Sequence, residues 1–119
     1  MSKVLAKGSL VIEKTGRIAF QGLPTDGSAT LVKFSGTYCP WSQMKVTAHN
    51  AEITSVETPL CKINGKHSFQ GSMAPGGILI TLDNDLALYA IITAPALPPI
   101  LIDGEGEGDF DPDSECPMK

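Results

Sequence analysis

Large rings and charge are both scarce in this 119-residue sequence, which holds one Trp, two Tyr, four Phe, nine Lys and Arg, thirteen Asp and Glu, and only two His. With so few rings, the interior has to be assembled from Val, Ile, Leu and Ala. No apolar run is long enough to span a bilayer as a helix: Leu86 to Thr93 is too short, and Pro95, Pro98 and Pro99 interrupt its continuation. Basic residues are too few and too evenly mixed for a nucleic-acid surface, since Met1 to Ile102 carries eight Lys and Arg against six Asp and Glu. Cysteines number three, Cys39, Cys61 and Cys116, an odd count that does not make a complete disulfide framework and leaves a free thiol, one bridge or metal ligation. No Gly-x-Ser-x-Gly elbow, phosphate loop or dinucleotide fingerprint is present, and Cys39 or Cys61 with His49 makes no specific dyad. No catalytic residue is assigned and an enzyme is not expected. Residues Met1 to Gly8 lack the apolar run of a signal peptide, so synthesis in the cytoplasm is expected.

What the chain does have is twelve Gly and nine Pro among 42% hydrophobic residues. That mixture, at a length suited to one domain, points to an all-β fold of short strands and tight turns. Gly8 to Glu13 and Arg17 to Gly22 read as a hairpin about Gly16, with a third strand over Ala29 to Ser35. Gly36 to Ser42 reads as a corner with Trp41 as an apolar plug. Gln43 to Ala48 and Ala51 to Glu57 are two further strands about His49-Asn50, because Val46, Thr47, Ile53, Thr54 and Val56 lose side-chain freedom in a helix.

The stretch Pro59 to Leu82 reads as a short strand, an Asn64-Gly65 turn, a return strand, a Gly76-Gly77 corner and another strand. Together Cys39, His49, Cys61 and His67 supply two thiolates and two imidazoles, the complement of a closed tetrahedral zinc site. Whether Cys61 and His67 can share a metal depends on the turn. A two-residue Asn64-Gly65 loop puts them on opposite faces, whereas a three-residue Ile63-Asn64-Gly65 loop sets them opposite one another. Zinc is therefore a possible cofactor, and no other is indicated.

After an Asp83-Asn84-Asp85 turn, Leu86 to Thr93 reads as a buried strand. Residues 94–102 form a Pro-rich extended arm that ends a domain spanning 1–102, and Leu97, Pro98, Pro99 and Ile100 are its candidate partner-binding residues. From Asp103 to Lys119 acids alternate with Gly, a composition that buries too little apolar area to offset chain entropy, so this segment is expected to be an acidic tail, disordered or ordered by a partner.

The outline Leu60 to Lys66, Gly71, then Gly76-Gly77-Ile78-Leu79-Ile80 resembles the PAAR and PAAR-like proteins, with a similar rhythm in Gly8 to Gly22. His67-Ser68-Phe69-Gln70 stands in place of that family's naming tetrapeptide, and Ser72 where it often has Asp. The resemblance implies a structural tip that caps a trimeric spike of a phage tail or contractile injection system and aids membrane puncture. Its partners would be the spike or another tail or baseplate protein, with transient contact with a target membrane and assembly into a particle delivered outside the cell. It also implies His49, Cys61 and His67 as zinc ligands. The alternative from composition alone is a small all-β binding or capsid-decoration module without metal.

Overall fold

The computed structural model describes residues 3–13, 16–25, 27, 29–39, 46–74, 76–91 and 100–110. The all-β expectation holds. The strands are β1 (Lys3–Ile12), β2 (Arg17–Pro24), β3 (Val32–Cys39), β4 (Val46–Ser55), β5 (Gly65–Ala74), β6 (Gly77–Leu82), β7 (Ala87–Ile91) and β8 (Ile100–Phe110). They close into one antiparallel barrel in the order β1-β2-β3-β8-β5-β6-β7-β4.

Alternation of side chains builds the wall. In β2, Ile18, Phe20, Gly22 and Pro24 point inward while Arg17, Ala19, Gln21 and Leu23 face solvent. The same period puts Ile78, Ile80 and Leu82 of β6 and Leu88 and Ala90 of β7 inside. The interior is filled by Leu10, Ile12, Phe20, Phe34, Ile53, Phe69, Met73 and their neighbours, so the barrel holds a core and no lumen. Fully burying each such Leu, Ile or Phe stabilises the fold by roughly 1.5–3 kcal/mol. Where β5 turns into β6, Ala74 stands opposite Gly77 and Gly76 takes the left-handed backbone (φ 93°) that a tight Gly-rich corner needs.

Four expectations are corrected. First, His49-Asn50 is no turn, because β4 runs through it: Ala51 stands opposite Gly8 and Ala48 opposite Leu10, so His49 and Asn50 together face Ser9 as a β-bulge. Second, β3 continues through Gly36 to Cys39, where a corner was expected; Trp41 lies outside the described residues.

Third, Leu60–Ile63 is a single 3-10 turn and no strand, so Asn64-Gly65 closes no hairpin. Both registers considered for Cys61 and His67 are absent. The turn belongs to the link between β4 and β5, which are separated round the barrel by β7 and β6. It lies at the barrel end where β4 finishes and β5 starts, with Ile63 buried and Leu60 and Cys61 packed on the core.

Fourth, the acidic run does not begin a tail at Asp103. Residues 103–110 belong to β8, which pairs with β3 on one side and β5 on the other. Its inward positions include Gly104 and Gly106, and neighbouring rings take the space their side chains would fill. A Cβ on Gly106 would lie 2.5 Å from Phe34 Cζ, and one on Gly104 2.8 Å from Phe69 Cζ. Those two rings meet edge to face at 6.1 Å. The apolar area that orders the acid-and-Gly middle of β8 comes from its neighbours, while Ile102 and Phe110 of the strand itself are buried at either side of it. Residues 111–119 lie outside the described residues, as do Leu97, Pro98 and Pro99 of the arm. Ile100 opens β8 and packs against the core.

Candidate binding surface on the barrel wall

The four candidate zinc ligands are not gathered at one point. Cys39 ends β3 with a free, exposed thiol, and His49 is exposed in the β4 bulge. Cys61 is disulfide-bonded. In β5, His67 Nδ1 lies 2.7 Å from Asp83 Oδ1, and its Nε2 lies 3.0 Å from the Ile63 carbonyl oxygen and 3.2 Å from that of Asn64. These contacts, all to acceptor oxygens, already engage both ring nitrogens. The strands β4 and β5 that carry the two histidines are separated by β6 and β7. Among the described residues no group of three or more His, Cys, Asp and Glu could hold a metal ion. These residues do not fit the zinc site that the resemblance implies.

The His67 contacts instead fasten the 3-10 turn. Asn84 Nδ2 donates to the Lys62 carbonyl at 2.8 Å, Thr58 Oγ1 donates to the Asn84 carbonyl at 2.8 Å, and the Thr58 N–H donates to Ser55 Oγ at 2.8 Å. The hydrogen bond with His67, aided by the Ser68 N–H at 3.2 Å, holds the Asp83 carboxyl below its ordinary range. This end of the barrel is a structural closure.

With the interior filled, recognition has to use the outer wall. Exposed Lys7, Arg17, Lys33, Lys66, Glu105 and Glu107 and half-buried Glu52 are spread round it, the reverse of a membrane barrel's apolar outside and polar lumen. One band departs from this polarity. Leu79, Tyr89 and Ile91 are 45%, 40% and 47% exposed, and Leu101 is 80% exposed. The register connects them, with Leu101 opposite Ser72, Ser72 opposite Leu79, and Leu79 opposite Tyr89. On the far side Tyr89 stands opposite Glu52, and Glu52 opposite Lys7, which gives the band a charged rim.

Sequence reading missed this band by taking Leu86 to Thr93 as a buried strand and Ile78-Leu79-Ile80 as a strand with no face assigned. The strand period was the available signal. A wall with one buried face sends every second residue outward, so an unbroken apolar run must expose about half its members. No protein-family model, curated protein or solved structure matches the chain.

Proposed function

We propose that this chain is a non-enzymatic binding module that docks onto a protein partner through the band Leu79, Tyr89, Ile91 and Leu101. The observation that carries this reading is the cluster of exposed Leu79, Tyr89 and Ile91 on the adjoining strands β6 and β7, extended across Ser72 of β5 to Leu101 on β8. Contiguous apolar patches with polar rims suit protein association, and an exposed Tyr at the centre of one suits a hot spot.

Docking by strand addition needs an open sheet edge, whereas each of the eight strands here has a neighbour on both sides. Contact by side chains on the sheet face is the mode this geometry favours. A spike tip seated through this band, with the end of a trimeric spike as partner, is one special case of the same reading.

The test replaces Leu79, Ile91 and Leu101 with Ser together and measures co-purification with the native assembly. Loss of co-purification with an unchanged melting temperature is the expected result. Undiminished assembly by the triple variant would sink the proposal.

A further inference from the structure

A second surface adjoins the band at Tyr89, and its character is polar. The β4 bulge turns two consecutive side chains, His49 and Asn50, out to solvent where a regular strand would expose one. Register places Ser9 beside Gln21 on the neighbouring strands and Asn50 next to the row of Glu52 and Tyr89. These residues line one open groove on the wall formed by β2, β1, β4 and β7, with Lys7 and Ile91 at its margins. The Tyr89 ring reaches across the sheet to Gly77 on β6, with Cε1 and Oη each 3.7 Å from where a Gly77 Cβ would stand, an ordinary contact distance.

The groove thus combines an exposed aromatic ring with two amides, a carboxylate and an imidazole. Amides and imidazoles both donate and accept hydrogen bonds, and a carboxylate accepts several, which matches a ligand whose rim carries adjacent hydroxyls. A tyrosine ring offers an apolar face with a polar tip, suited to a ligand with one face of C–H groups. Charge does not point to an ion, because Lys7 stands directly opposite Glu52. A neutral, polyhydroxylated ring meets all three conditions.

We propose that this groove binds an oligosaccharide, with one pyranose ring stacked on Tyr89 and its hydroxyls held by Glu52 and Asn50, and a following ring reaching His49 and Gln21 across the neighbouring strands. The site stands apart from protein docking, since it rests on the bulge and not on the apolar band, and the two share only the Tyr89 and Ile91 edge.

The experiment titrates the full chain with cello-, malto-, chito- and manno-tetraose at millimolar concentration and follows backbone amide resonances. At least one sugar should shift Asn50, Glu52 and Tyr89 together. Tyr89→Ala and Asn50→Ala should each weaken that binding by about tenfold or more, equivalent to about 1.4 kcal/mol. Tyr89→Phe, which keeps the ring, should retain it, and Leu101→Ser, which removes only the docking band's most exposed member, should leave it unchanged. Silence of these resonances to all four sugars would overturn the proposal. So would their response to inorganic phosphate alone, or full binding by Tyr89→Ala. Because Leu101→Ser impairs docking and spares the groove, failure of the sugar site and failure of the docking band give different results.

Discussion

Asn64 grips both backbone groups of Phe110, its Oδ1 accepting from the Phe110 N–H at 2.6 Å and its Nδ2 donating to the Phe110 carbonyl at 2.5 Å. Two residues 46 positions apart are thereby joined, and the end of the 3-10 turn is fixed to the end of β8. Asn64→Ala should cost about 1–3 kcal/mol, the worth of two hydrogen bonds in a partly exposed setting. Urea denaturation monitored by tryptophan fluorescence and by circular dichroism gives the value.

Glycine in β8 makes room for aromatic rings, so adding one methyl group there should be costly. At Gly106 a Cβ would meet Phe34 Cζ at 2.5 Å and the Ser35 carbonyl oxygen at 2.7 Å. Gly106→Ala is expected to destabilise by about 1–3 kcal/mol or more through overpacking. Gly106→Ala combined with Phe34→Leu should recover part of that loss, measured by the same denaturation curves.

Acid should loosen the closure at His67. The hydrogen bond from His67 holds the folded-state carboxyl of Asp83 below its ordinary value. A depressed carboxylate contributes stability that is fully present above its unfolded-state value and is lost as pH falls through the folded-state value. The melting temperature of the natural protein should therefore fall more steeply below about pH 4 than that of Asp83→Asn. Equal slopes for the two proteins in that range would contradict the assignment.

Adjacent positions on β6 should behave in opposite ways. Ile80 is fully buried, and Ile80→Ala is expected to cost about 2–5 kcal/mol. Leu79, next to it and 45% exposed, should tolerate Ser within about 0.5 kcal/mol of stability. Thermal melts separate the pair, and only the Leu79 change should weaken partner capture out of proportion to its effect on folding.

How far the sequence announced this structure follows from which side chains supply the burial. The hairpin of β1 and β2 was readable because Ile18, Phe20 and their exposed neighbours alternate in a single strand and Gly16 marks the turn. The β6 and β7 strands were readable for the same reason, although only half of each apolar run is inside. The middle of strand β8 was not, since residues 103–109 are acids and glycines whose packing surface belongs to Phe34 and Phe69, distant in sequence, and only Ile102 and Phe110 at its two ends bury apolar side chains of its own. The bulge at His49-Asn50 was read as a turn because Asn50 favours turns, and only the register against Ser9 decides otherwise. Cys61 and His67 were paired through a hairpin that a 3-10 turn replaces, a local choice fixed by the burial of Ile63. The docking band required knowing which face of each strand is covered.

The position of β8 also sets the order in which the fold can be completed. Without it, β3-β2-β1-β4-β7-β6-β5 is a curled open sheet whose two free edges are β3 and β5. Neither edge can be satisfied until residues 100–110 have been made and inserted between them. Closure is consequently a late, long-range event in the life of each new chain, with most of the sequence already synthesised and two sticky borders exposed. The acidic outer face of β8 meets a lysine on each border, Asp109 opposite Lys33 on β3 and Glu107 opposite Lys66 on β5, so opposite charge favours insertion of this strand at both edges.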